Sequence, residues 1–521
     1  MKKTVIKLLL FLMISFSFLQ AQDFQDNDKR VPDPKAPEFK FIGYWFSRGT
    51  VSNIAPTNEL LRGQIIGRLF GLNTTNTSDN TAVYFEQRFV PMFIYTPQIL
   101  DGVATFRSLF KIDMTWGDNA YGVGGNAGGA INAGQVNLQT LLANVDIKPK
   151  DSGWNAVIGL QRIFDNVRDP NQIAVSTAQT SAYKLSYWGT QGVGITLFAN
   201  LNATTQGRFG FYQLYENVIQ LNDDVTLWML DLESRIQPLL EAGADFWFLY
   251  DRGKNGGGIS VLGQGLNSQL AEYNGAVRIN LPTSKYEANI FWVGTHAAYN
   301  RDFLEGRWWA DAYVMANLGV IDTVSNNSGA VNKYADILGV AGNVMLSYKY
   351  GMTANDKIIL EGLFTTGDNN GANDGKLTSV LTGNEWGSPT GIYSSHKALL
   401  LFPDPQVVNR YYSAVHDISN QGLGVSAAFL SVTRDFIPNR FSGKLGFATA
   451  FSNVTPKGGT PYMGSEVNLE FKYNIKTFLT LGLSAGYLKL GDFYNAPSVT
   501  YDKQRPQDPW VIFTSLSWLM F

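Results

Sequence analysis

The chain has no cysteine, little charge and, after its first two dozen residues, no long apolar run. The missing cysteine excludes a disulfide framework, a thiolate metal site and a cysteine nucleophile. Charged residues make up 16% of the 521 positions, against roughly 25% in an average soluble protein. Extra hydrophobicity does not account for the deficit: apolar residues stand at 45% and mean hydropathy is −0.08. No stretch beyond the N-terminus reaches the ~20 apolar residues of a spanning helix. With 41 basic and 43 acidic residues the net charge is −2, which gives no footprint for nucleic acid or for a polybasic membrane anchor. Present in excess are glycine, at 52 residues, and aromatics, at 13%. This balance argues against an ordinary multi-domain cytosolic enzyme.

The N-terminus has the layout of a secretory signal. Lys2, Lys3 and Lys7 precede an apolar run from Leu8 to Phe18, and Ala21 offers a small residue for cleavage before Gln22. Residues 1–21 are thus expected to be a signal peptide. Residues 22–38, charged and carrying Pro32, Pro34 and Pro37, read as an irregular periplasmic lead-in. Structure is expected over 39–521.

That region alternates with period two. From Ala104 to Trp116, one parity carries Phe106, Phe110, Ile112 and Met114, and the other Arg107, Leu109, Lys111 and Asp113. The pattern recurs at 240–251, 464–474 and 479–487. A soluble sandwich and a membrane barrel both alternate, but these strands run longer than the 5–6 residues common in globular sheets and suit the ~9–11 of a tilted spanning strand. Connections also alternate in length. Short ones fall near 97–102, 148–152, 189–192, 238–239, 282–285, 351–356, 435–440 and 474–477. Long ones fall near 118–134, 165–181, 204–224, 252–269, 298–338, 368–420, 454–463 and 491–508. Short periplasmic turns facing long outer loops are the signature of an outer-membrane barrel. The expected fold is therefore all-β, a transmembrane antiparallel barrel of about 18 strands, in a range of about 16–20. Its first strand is set at Leu61–Leu72 and its last at Trp510–Phe521; Phe39–Thr50 is strand-like and is left open as a barrel strand, an extension or a segment tucked inside. Aromatics near strand ends, among them Tyr95, Trp116, Trp154, Tyr183, Tyr250, Tyr348, Tyr350, Tyr473 and Tyr487, suit the two membrane interfaces.

With the apolar parity given to lipid, the other parity lists a pore lining. It comprises Glu86, Arg88, Arg107, Lys111, Asp113, Asp231, Glu233, Arg235, Glu241, Asp245, Glu272, Arg278, Lys349, Glu361, Lys444, Glu466, Glu470 and Lys472. Both signs are present, so opposed charges would act on polar solutes crossing a wide lumen. The loops at 298–338 and 368–420 are the longest and are expected to fold into the pore. Gly122–Gly134 reads as a plain loop, without the strand-and-helix setting of a nucleotide-binding turn. Asp368, Asn369, Asn370, Asn373 and Asp374 form either a solvated turn, the favoured reading, or an oxygen-rich Ca²⁺ site without EF-hand spacing. No metal or other cofactor is expected. The three histidines, His296, His396 and His416, are placed in or beside outer loops and show no ligand spacing. No Gly-x-Ser-x-Gly elbow accompanies them, and no catalytic residue is assigned.

The C-terminal strand, ending on Phe521 with Trp510, Ile512, Leu516 and Trp518 before it, resembles the targeting strand of bacterial outer-membrane barrels. This implies the barrel assembly machinery as a partner, with outer-membrane lipid and lipopolysaccharide around the barrel. Phe521 shares parity with Phe513 and Leu519 rather than with the aromatic face, so an irregularity is expected at the end. Gly159–Leu160–Gln161–Arg162 followed by Asp165, and Thr366–Gly367–Asp368, resemble features of the alginate-export-type family of 18-stranded barrels; the Gln-Ala-Gln around Ala21 is similar to signal peptides of Bacteroidota. The resemblance implies a porin-like conduit. The expected function is a passive outer-membrane channel for small hydrophilic solutes or oligosaccharides in a Gram-negative cell. Export of an anionic polysaccharide and a plugged barrel serving as receptor, adhesin or scaffold are the alternatives. A 22-stranded transporter with its plug would not fit in this length.

Overall fold

The computed structural model describes residues 37–56, 66–69, 75–116, 137–164, 183–184, 188–216, 218–254, 281, 285–384, 393–394, 398–402, 404, 408, 411–501 and 504–521. Each long alternating segment is a strand. In chain order they are β1 (Phe39–Pro56), β2 (Thr75–Tyr95), β3 (Ala104–Thr115), β4 (Asn137–Ile147), β5 (Trp154–Phe164), β6 (Trp188–Asn200), β7 (Thr205–Tyr215), β8 (Val225–Gln237), β9 (Leu240–Asp251), β10 (Lys285–Tyr299), β11 (Trp308–Val324), β12 (Val331–Lys349), β13 (Lys357–Thr365), β14 (Val425–Ile437), β15 (Phe441–Phe451), β16 (Tyr462–Lys476), β17 (Leu479–Leu490) and β18 (Trp510–Met520).

Every neighbour in this series pairs antiparallel, and β1 also pairs with β18 from Gly43↔Met520 to Ser52↔Val511. The ring closes on 18 strands. Closure leaves no edge, so each ladder finds its partners within the sheet, the condition for crossing hydrocarbon.

The outside of the ring is apolar. Val193, Phe246, Val314, Val344, Leu360, Leu445, Val467, Leu483 and Ile512 are exposed there, while their strand neighbours of opposite parity are covered. A belt of bare aliphatic and aromatic side chains around a closed sheet suits lipid and not water. Phe39, Tyr95, Trp154, Tyr299, Trp308, Tyr473 and Trp518, all exposed, mark its lower rim beside the short turns. Trp116 and Phe85 stack at 5.6 Å near the other rim. Tyr183 has no described side chain.

The strand number agrees with expectation, but several boundaries do not. The first strand is Phe39–Pro56, not Leu61–Leu72; within the latter only 66–69 is described, and Ile66–Arg68 pairs in parallel with Tyr411–Ser413. The turn placed at 189–192 lies inside β6, and residues 205–215, read as loop, form β7. Its Gly207 interrupts the apolar face, which Phe209 and Phe211 nonetheless supply, and Gly210 leaves a gap on the inward face beside Met229. Residues 298–338, expected to fold into the pore, are mostly β11 and part of β12, joined by the short connection 325–330. Small outward Ala310, Ala312 and Ala316 against inward Asp311, Tyr313 and Asn317 weaken the hydrophobic contrast there. A turn lies at 300–307; of the turn expected near 282–285, only Lys285, the first residue of β10, is described. Gains and losses cancel in the count. The last strand resolves its own parity: Ile512 and Trp518 point outward, Phe513 and Leu519 inward, and Phe521 lies past the strand with its ring 4.9 Å from Phe478.

Candidate solute pathway

The long connection after β13 turns into the ring at its described residues. Its Leu381 takes a hydrogen bond from Trp292 Nε1 on β10 at 3.0 Å, and its own N–H donates to Asn317 Oδ1 on β11 at 2.9 Å. Asp404 accepts from Arg48 on β1 at 2.8 Å, and the Val408 carbonyl from Arg88 on β2 at 3.2 Å. Glu466 on β16 accepts the N–H groups of Leu399, Leu400 and Leu401. One segment reaches strands all round a closed ring only from inside it.

Two of its local features follow from sequence. Asp368 Oδ1 accepts from the N–H of Asn370 and Gly371 at 2.9 and 2.7 Å, and Oδ2 from Thr378 N–H at 2.9 Å. Burial pushes this carboxyl up, but those backbone donors outweigh it and hold it below its ordinary value. The carboxylate is thus committed to the turn. The return to β14 passes through Gly424 at φ +65°, where a Cβ would lie 2.5 Å from the Thr365 carbonyl oxygen.

The inward faces of β7 to β12 change character along their length. Toward the long loops they carry Tyr212, Leu227, Trp247, Ile290, Trp292 and Ile337, packed with Leu377, Leu381 and Leu399–Phe402 of the inward segment. Toward the short turns they carry ions. Arg208 Nε meets Asp231 at 2.6 Å, and Trp247 Nε1 donates to the other Asp231 oxygen at 2.7 Å. His296 lies between Asp245, 3.0 Å from Nδ1, and Glu233, which contacts Nε2. Glu241 pairs with Arg301 at 3.0 Å. Across the ring, Lys444 meets Glu470 at 2.6 Å.

The eighteen sequence-assigned residues fall into three groups. Glu86, Arg88, Lys111, Asp113, Arg107, Asp231, Asp245, Glu361 and Glu466 are inward but covered. Arg88 forms a fork on Asp113 with two 2.7 Å bonds, Arg107 pairs with Asp146 at 3.2 Å, and Asn343 Nδ2 donates to Glu361 at 2.9 Å. Such geometry is what makes burying paired charge tolerable. Glu233, Glu241, Lys349, Lys444 and Glu470 are half-buried, and Arg235 and Lys472 are exposed near the short turns. Glu272 and Arg278 lie outside the described residues, as do His396, Asp165 and Gly122–Gly134.

Sequence reading missed Arg48, Arg208, Asp311 and Asp404, and it misplaced His296. His296 sits near the short-turn end of β10, not by an outer loop. The turn at 300–307 puts it at the opposite end of the barrel from the one expected. Arg48 was legible in the parity of Phe39–Thr50 once that segment is a strand. Asp404 carried no signal, since only the folded loop brings it to Arg48. His416, in the inward loop, is held neutral: burial, with Arg68 adding to it, lowers its imidazole to about 3.

No protein-family model matches the chain, and no curated protein matches it. Solved structures similar to it include Pseudomonas aeruginosa OccK11 (OpdR), at 11% identity and TM-score 0.45 over 92% of this chain and 96% of that one. Acinetobacter baumannii OccAB4 is similar at 10% identity and TM-score 0.47, over 93% and 99%. P. aeruginosa OccK2 (OpdF) in complex with glucuronate is similar at 12% identity and TM-score 0.45, over 93% and 98%. The closed ladder, the outward apolar belt and the inward charges together define a transmembrane β-barrel.

Proposed function

We propose that this protein is an outer-membrane channel for the passive passage of small hydrophilic solutes. The observation that carries it is the sorting of charge. Aliphatic and aromatic side chains cover the outside of a closed ring, while carboxylates, lysines and arginines point inward and stay partly open at the short-turn end. A barrel of 16–18 strands is wide enough to hold water, and inward ions of both signs hydrate such a space. The described residues of the inward segment narrow the route on the long-loop side.

Within this reading residues 1–21 are a signal peptide, 22–38 a periplasmic lead-in, and the strand ending before Phe521 the element the assembly machinery takes up. The short turns then face the periplasm, and lipopolysaccharide contacts the other rim. An interior of mixed sign favours general solutes over an alginate-type polyanion, which gains from a uniformly basic wall. Reconstitution in planar bilayers tests the proposal. Stepwise ohmic conductance with weak ion selectivity is expected, together with swelling of loaded vesicles in small sugars. A folded barrel with no conductance would sink it, and strong anion selectivity would move the assignment to polyanion export.

A further inference from the structure

Three consecutive N–H groups in the inward segment converge on one carboxylate. Leu399 donates to Glu466 Oε1 at 2.7 Å, and Leu400 and Leu401 donate to Oε2 at 2.9 and 2.6 Å. Asn468 Nδ2 adds a fourth bond to Oε1, at 2.9 Å. In extended chain successive amides point to opposite sides, so three aimed at one point need a bend that turns them into a concave anion cradle. Glu466 is fully buried on β16 and sits in that cradle. Charge-assisted bonds are roughly twice as strong as neutral ones, and this carboxylate has its acceptor positions filled.

The contact is also the point where the segment meets the wall. Ala398, Leu399, Leu400, Leu401 and Phe402 are all buried, and the Phe402 ring lies 4.9 Å from that of Phe429 on β14. Leu399 and Leu400 press on Gly486 of β17, where an added Cβ would lie 3.5 Å from Leu399 Cβ. Apolar packing holds these leucines against the wall but is indifferent to small slides along it; hydrogen bonds to a fixed carboxylate are not. We propose that Glu466 is the positioning residue of the inward segment: by holding the Leu399–Leu401 turn against β16 and β17, it sets how far that segment stands into the ring. The consequence for permeation rests on the channel reading above; the clamp itself does not.

The absence of cysteine permits a clean test. A Leu399→Cys, Gly486→Cys pair places its Cβ atoms at 3.5 Å, inside the ~3.5–4.5 Å of a disulfide. In the barrel with Glu466 intact the pair should close rapidly on mild oxidation. In the Glu466→Gln background, closure should slow several-fold and the current through single barrels should become noisier. Oxidation should then quieten that current, and dithiothreitol should restore the noise. Asn468→Ala, which removes only one of the four bonds, should give an intermediate closure rate and serves if Glu466→Gln fails to fold. Equal closure rates in a folded Glu466→Gln barrel, or in folded Asn468→Ala if that alone folds, would overturn the clamp. Silence of the unmodified barrel in bilayers would instead overturn the channel reading, while the closure rates would still judge the clamp.

Discussion

The two ends of the interior between β7 and β12 are built from opposite materials. At the long-loop end, Trp292, Ile290, Trp247 and Leu227 pack directly on the inward segment, as in the core of a soluble protein. At the short-turn end, Asp231, Asp245, Glu233, His296 and Glu241 form ion pairs with room for water around the outermost of them. Between β1 and β4 the order inverts. There Tyr44, Phe46, Val90 and Met92 cluster nearer the short turns, and Arg48, Glu86, Arg88 and Asp113 lie above them. The inward segment answers both walls: leucines against the first, Asp404 and the Val408 carbonyl against the second. An inward face is therefore not one environment. Whether a charge on it meets water or protein depends on which part of the segment lies opposite.

The strongest way to break this contrast is to remove the segment. Deleting residues 376–418 and joining the ends with a short Gly-Ser linker should raise single-channel conductance several-fold, since the leucines that pack against the long-loop wall are then gone. An unchanged conductance would mean the route bypasses the segment entirely. Trp292→Ala should cost about 3–5 kcal/mol, because it empties a fully packed site and leaves the Leu381 carbonyl without its donor. Reversible urea unfolding in vesicles measures it, and a loss under ~1 kcal/mol would show that the interior packing is slack. Val344→Arg, on the outward face of β12, should cost about 2–4 kcal/mol in lipid; a neutral result would mean this face does not meet hydrocarbon.

Smaller effects sharpen the ionic end. Glu233→Gln with Asp245→Asn removes both carboxylates from His296 and should shift reversal potentials toward anions without changing conductance much. No shift would place the route away from β8–β10. The smallest effect concerns pH at the Asp368 turn. Its folded carboxyl lies below the ordinary value, so its stabilisation is complete above the unfolded pKa, near 4, and is lost as pH falls through the folded one. Protease cleavage within 366–384 should therefore rise only in the acid range, and Asp368→Asn should remove that dependence. Cleavage that stays flat in the intact protein would dissociate the turn from this carboxylate.

Sequence determined the class of fold because lipid enforces it. Hydrocarbon tolerates only apolar side chains on the outer parity, and that rule is local, readable strand by strand at Ala104–Thr115, Leu240–Asp251 and Leu479–Leu490. It fails where small residues soften the alternation, as with Ala310, Ala312 and Ala316, or where glycine imitates a loop, as in β7. The inward parity was legible too, which is why the chosen residues face the interior wherever they are described. What they meet there was not. Glu466 and Glu470 stand four apart on one face of one strand; the first is sealed under three backbone amides and the second pairs with Lys444 in a more open space. Alternation fixes which way a side chain points. Only the tertiary course of residues 366–424 decides whether it meets water or another part of the chain, because those contacts join positions hundreds of residues apart that no local pattern connects.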